Sequence, residues 1–311
     1  MARLAKSDNV QCGGKTNIKL GLGLHGAIVQ FISGLRTPCP THIHRRRLLI
    51  SLQANITYVD FFAIPIALTL YTNNAAKPQH VSGTNENGLN QVVAGMREQH
   101  AKDGQGWDQL VKNGPNGQPI RVVSPNVGIS MNGALFRDYF TSYVTQVWTK
   151  FRNQDMTINT QASYGNRTGR VVANGFLSFT QAPGAYFRKP TAADIFSCST
   201  GPFATNENQE RNAIIPRLAA AFNRTTLLLT NQFPNGSTSS QFYTQNPTNH
   251  YSRVVHGANL DRRGYAFPYD DVTRDGGIDN SGSVFGPPSL LIVSIGGNGA
   301  GLASAPRVPI G

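Results

Sequence analysis

The chain has 311 residues, of which 39% are hydrophobic and only 14% charged, with a formal net charge of +12. Charge is sparse against the roughly 25% of an ordinary soluble domain, and Gly, Asn, Thr, Ser and Gln fill the gap, a surface suited to neutral polymers. The excess charge is lopsided: residues 1–49 hold eight Lys/Arg and one acid, residues 50–311 twenty and fifteen, so it marks a basic arm around Arg45-Arg46-Arg47 and no nucleic-acid partner is expected.

Residues 1–47 mix glycine, basic side chains and Thr37-Pro38-Cys39-Pro40 without a sustained period. The start, Met1 to Asp8, is polar and lacks the apolar core of a signal peptide. The apolar stretch Leu20 to Ile32 is broken by glycines and His25 and is too short to span a bilayer, so no membrane association is expected.

The pattern becomes regular from Leu48. Ile64, Ile66, Leu68 and Leu70 alternate with Pro65, Ala67, Thr69 and Tyr71, which predicts a strand. Pro65 has no N–H for a ladder, which places that strand at an edge or bulge. Leu89, Val92, Val93 and Met96 predict a helix that stops near Asp103-Gly104, and Ile120 to Ser124 a short strand. Phe136, Phe140, Tyr143, Val144, Val147, Trp148 and Phe151 form one apolar stripe at helical spacing. Val171 to Phe179 reads as a strand. Asn206 to Phe222 reads as a helix that Pro216 kinks or divides. Thr226 to Thr230 reads as a buried strand and Leu290 to Ile295 as the last one.

Strands, then mixed elements, then strands suggest a β domain interrupted by an α/β segment. The expected division is residues 1–47 as a basic segment, 48–85 with 245–300 as the β part, 86–244 as the inserted α/β part, and 301–311 as a tail. Cys12, Cys39 and Cys198 are odd in number and far apart, so no disulfide framework or zinc spacing is read. Asp275 to Gly282 lacks the ligand alternation of a calcium loop. No metal or cofactor is expected.

Longer strings are more specific. The run Leu52-Gln-Ala-Asn-Ile-Thr-Tyr-Val-Asp-Phe-Phe-Ala-Ile-Pro-Ile-Ala-Leu-Thr-Leu70, the block Ile120 to Asn126, the segments Asp194 to Phe203 and Ile215 to Leu227, and the closing runs Asn249 to His256 and Gly264 to Val272 resemble glycoside hydrolase family 64, the β-1,3-glucanases. The resemblance covers about residues 48–300. It implies a mainly β fold with an α/β part: a thaumatin-like barrel or sandwich, plus a mixed subdomain, with a wide groove between. It also implies a laminarin- or curdlan-type β-1,3-glucan as partner, a monomer, and a secreted protein.

Glycoside hydrolysis needs one carboxylic acid to protonate the leaving oxygen and a second carboxylate to activate water or attack carbon. The resemblance makes Asp60 the general base of an inverting reaction. The family's acid is a glutamate in an upstream Glu-Phe-Thr segment, where this chain has His44, and its first glutamate of any kind is Glu86. Two accounts stay open: residues 1–47 are a mis-joined stretch, or the chain is a variant without its acid. The alternative function is therefore a catalytically inactive β-glucan-binding protein. Thr57, Asn55, Asp271 and Tyr265 are the expected substrate contacts, with Tyr139 and Trp107 as further stacking candidates. Of the neighbours Asp270 and Asp271, one is expected to hold turn amides or Arg253 and the other to line the groove.

Overall fold

The computed structural model describes residues 51–73, 75 and 77–297, and the backbone of Lys15–Leu24 and Ala27–Arg36. His44, Cys12, Cys39 and the Arg45 to Arg47 run lie outside the described residues. Among those described, no helix is long and apolar enough to cross a membrane.

The fold is mixed, with four sheets and helices packed among them. Lys15–Leu24, Ala27–Arg36, Ser51–Thr57 and Ser283–Gly286 form an antiparallel sheet in that order. Ile66–Thr72 lies between Pro288–Ile295 and Gln79–Val81 in a second. Phe61–Phe62, Pro119–Val123 and Val111–Asn113 form a third. The fourth has five strands, with Gln232–Phe233 parallel to Met156–Asn159 at one edge. Each sheet is open, so the expected barrel is not closed among the described residues.

Local chemistry explains where the sequence patterns held and where they shifted. Helix Gly88–Asp103 buries Val92, Val93 and Met96 and ends at Gly104 in the left-handed region with φ 66°, as the periodicity predicted. Helix Thr141–Asn153 buries Tyr143, Val144, Val147, Trp148 and Phe151. Phe136 belongs to the stripe but not the helix, because its own φ is 59°, which no right-handed helix accommodates. Helix Gln209–Asn223 runs through Pro216 undivided.

Three expectations are corrected. The predicted strand 171–179 is a hairpin of Asn166–Val171 and Leu177–Phe179 that turns at Gly175, φ 85°. Residues 226–230 are turns rather than a strand. Only Thr226 and Leu227 are buried and Leu229 is exposed; Lys150 Nζ donates to the carbonyls of Leu227 and Thr230 at 2.9 and 2.7 Å, and Tyr143 Oη accepts from Leu227 N. Ile66–Thr72 is a central strand, not an edge. It begins just after Pro65, and Ile66 to Leu70 are all buried, so both of its faces are covered.

The core is aromatic at its centre. Trp107 is fully buried, packs against Phe136 and Tyr139 with centroids 4.5 and 5.4 Å away, and donates Nε1–H to Asp103. Tyr139 is half-buried and joins Phe196 and Phe140 in the same cluster. Trp107 is therefore a core side chain, and Tyr139 packs against that core with part of its surface exposed.

Candidate active site

The strand Ser51–Thr57 ends at the candidate site, and the chain beyond it is fastened from several sides. Tyr265 N donates to Ile56 O at 3.1 Å, and Tyr58 N donates to Tyr265 O at 2.7 Å, so Thr57 and Tyr265 form a parallel bridge. Tyr58 is buried; its Oη donates to Asn259 Oδ1, and its carbonyl accepts from Tyr251 Oη at 2.7 Å. Thr57 Oγ1 accepts from Val59 N. Asp60 O accepts from Ser124 N at 2.8 Å, and Phe61–Phe62 then pairs with Val122 and Val123. The main chain on either side of Asp60 is thus fixed by three separate elements, while its carboxylate is exposed at the bend.

The structure brings Thr57, Tyr265 and Asp271 together. Tyr265 is half-buried, and its Oη donates to Asp271 Oδ1 at 2.9 Å and accepts from Tyr269 N at 3.2 Å. Burial first, and the Asp271 charge second, hold its phenol well above the ordinary value, so Tyr265 stays a neutral donor. Asp271 is exposed. Asn55 is buried instead, and its Oδ1 has no hydrogen-bond partner among the described residues.

Asp270 turns the other way. It is 1% exposed, with Arg224 Nη2 at 3.0 Å from Oδ1, His256 Nε2 at 2.9 Å from Oδ2, and Ala266 N donating to Oδ2 at 2.9 Å. The expected partner Arg253 is corrected by these contacts: its guanidinium donates to His250 Nδ1 and Gln99 Oε1. Sequence reasoning missed the Arg224–Asp270–His256 cluster. A buried aspartate needs compensating donors, but nothing in local spacing selects an arginine at the end of a distant helix. His250 is driven down to about 4 by burial and then by Arg253, so it is neutral. Among the described residues no group of His, Cys, Asp or Glu is arranged to hold a metal. Cys198 is free and buried, with Asn223 Nδ2 donating to its Sγ.

Residues 50–295 match the profile of the family described as Beta-1,3-glucanase, Glyco_hydro_64. The chain belongs to glycoside hydrolase family 64. Glucan endo-1,3-beta-glucosidases of Cellulosimicrobium cellulans and Arthrobacter sp. (strain YCWD3) are each 34% identical to it over 178 residues. That alignment covers 55% of this chain but 32% of each relative, so the chain spans about a third of the curated relatives' length. A laminaripentaose-producing beta-1,3-glucanase solved in complex with laminaritetraose superposes with TM-score 0.68 at 28% identity, over 89% of this chain and 78% of that one. The family 64 domain from Clostridium beijerinckii, at 22% identity and TM-score 0.61 over 86% and 64%, shares the fold. The family 64 chain keeps the mixed sheet-and-helix architecture of these neighbours.

Proposed function

We propose that the chain hydrolyses β-1,3-glucan of the laminarin or curdlan type, with Asp60 as the general base of an inverting reaction. The observation that carries the reading is the exposed carboxylate of Asp60 on a backbone clamped by Tyr265, Tyr251 and Ser124, inside a family match over residues 50–295. A general base must hold its water in line with the anomeric carbon, and a fixed backbone limits the positions its carboxylate explores. Thr57, Tyr265 and Asp271 are assigned to the substrate, and Asn55, expected among the contacts, is set aside because its side chain is buried. The glucan path is the groove between the part made of residues 48–85 and 245–300, with a thaumatin-like barrel as its plan, and the segment 86–244. The protein works outside the cell as a monomer.

The test is release of reducing ends from laminarin. Asp60→Asn is expected to lower that rate about a hundred- to ten-thousand-fold while keeping glucan affinity. Full activity in Asp60→Asn would overturn the assignment. A second reading is favoured by one observation: no glutamate precedes Glu86, so the proton donor of an inverting pair is missing upstream of Asp60. Under that reading the chain binds laminarin without releasing reducing ends.

A further inference from the structure

A cavity of about 350 Å³ opens beside the helix His250–Ala258, lined by Phe242, Tyr243, Arg253, His256, Arg262 and Asn280 among others. It adjoins a second hollow of about 210 Å³ that shares Ser239, Phe242 and Asn280 with it and adds Arg274. Both hollows lie, like the proposed glucan path, between the inserted segment (residues 237–243) and the part made of residues 245–300, but none of the residues assigned above to the glucan lines either space. The first volume alone lies within the range of small-molecule sites.

The lining is cationic. Arg253, Arg262 and Arg274 face these hollows, and no aspartate or glutamate lines them. Asp270, which bonds the lining residue His256, is also bonded to Arg224. His256 places its two ring nitrogens against Asp270 Oδ2 and Arg262 O, two acceptors. That pairing is satisfied on both sides only when the imidazole is protonated, and Asp270 holds it above its ordinary value despite burial. In that state Arg224, His256 and Asp270 sum to one positive charge under the cavity.

One side of the wall is fixed. Arg253 is held by His250 and Gln99, the Tyr243 ring packs on His256 with centroids 5.8 Å apart, and Phe242 lies on the Arg224 guanidinium at 4.3 Å. Arginines over a positive floor favour an anion, and Arg253, already held in place, adds little ordering cost on binding. Two aromatic rings and the amide of Asn280 add an apolar and hydrogen-bonding body beside it, the combination that a sugar ring satisfies.

We propose that this cavity is a second ligand site, separate from Asp60, that binds a sugar carrying an anionic group, a carboxylate or a phosphate. The site depends on its own side chains and not on the glucan reading. Titration calorimetry of the full chain at pH 6 with glucose 6-phosphate, glucuronate, laminaribiose and inorganic phosphate tests it. Glucose 6-phosphate or glucuronate is expected to bind, and which binds more tightly identifies the anion. Arg262→Gln, at an exposed position, is expected to weaken that binding at least about tenfold, because charge-assisted contacts are the strong ones. Asp60→Asn is expected to leave it unchanged. Any of three results overturns the proposal: neither charged sugar binds, inorganic phosphate alone binds as tightly as glucose 6-phosphate, or Arg262→Gln matches the parent.

Discussion

Asp270 and His256 are bonded through Oδ2 and Nε2 at 2.9 Å, and the same carboxylate holds Arg224 through its other oxygen at 3.0 Å. Burial opposes charge on both partners, yet each wins by the presence of the other: His256 is raised and Asp270 lowered from their ordinary values. A raised histidine contributes its full stability below the unfolded value near 6.5 and loses it as pH climbs through the folded one. A lowered aspartate contributes above about 3.9 and loses it as pH falls through its folded value. The contribution of this pair to the urea midpoint is therefore expected to be fullest between about pH 4 and 6.5, a window in which the lowered His250 withdraws stability as pH falls, and His256→Gln is expected to flatten the alkaline decline. An identical alkaline limb in the variant would show that this pair does not govern it. Asp270→Asn leaves a buried arginine without its counter-charge and is expected to cost about 3–5 kcal/mol.

Tyr265→Phe removes the hydroxyl that holds Asp271 and keeps the ring and the backbone bridge to Thr57. Asp271 is exposed but the part-buried Tyr269 N also loses its acceptor, so the loss of stability is expected to be about 1–2 kcal/mol. If Asp271 touches the glucan, the effect falls on binding: KM for laminarin rises several-fold with kcat nearly unchanged. A drop confined to kcat would place Tyr265 nearer the reacting bond.

Gly264 packs its α-carbon directly against Tyr58. A Cβ there would lie 2.8 Å from Tyr58 Cε2 and 3.2 Å from Asn259 Nδ2. Gly264→Ala must displace either the buried tyrosine or the chain leading into Tyr265, at a cost of about 1–3 kcal/mol. Chemical denaturation measures the loss, and activity on laminarin is expected to fall further than in Tyr265→Phe.

Trp107→Phe separates core from sugar contact. The indole is buried and its N–H is held by Asp103, whose Oδ2 also accepts from Gln99, so the substitution leaves a small void and removes one of two hydrogen bonds to that oxygen. Stability is expected to fall by about 1–3 kcal/mol, with laminarin affinity kept in the folded fraction. A selective loss of affinity at full stability would return Trp107 to the groove.

What the sequence made legible was whatever its local chemistry determines. The stripe from Phe140 to Phe151 and the Gly104 stop are local facts, set by helical spacing and by a φ that glycine tolerates. The run around Asp60 was legible as a family 64 segment, which the family match covers. Thr226 to Thr230 misled because three consecutive leucines suggest a buried strand, whereas only Thr226 and Leu227 are buried and Lys150 and Tyr143 serve main-chain groups that no ladder pairs. The charge cluster at Asp270 was hidden for a different reason. Its partners come from two helices that meet only in three dimensions, and Arg253, the nearer arginine in sequence, is occupied by His250 and Gln99.

The strand Ser51–Thr57 takes one of its neighbours, Ser283–Gly286, from the far side of the chain, and Ile66–Thr72 does the same with Pro288–Ile295. At the ribosome, the platform that carries Asp60 therefore waits for the rest of the polypeptide, on the order of ten to fifty seconds at ordinary elongation rates. During that wait, two apolar strands lack one of their hydrogen-bonded edges. The intervening segment, with its five-stranded sheet, can assemble first, which makes nascent-chain length the variable that decides when Asp60 acquires its setting.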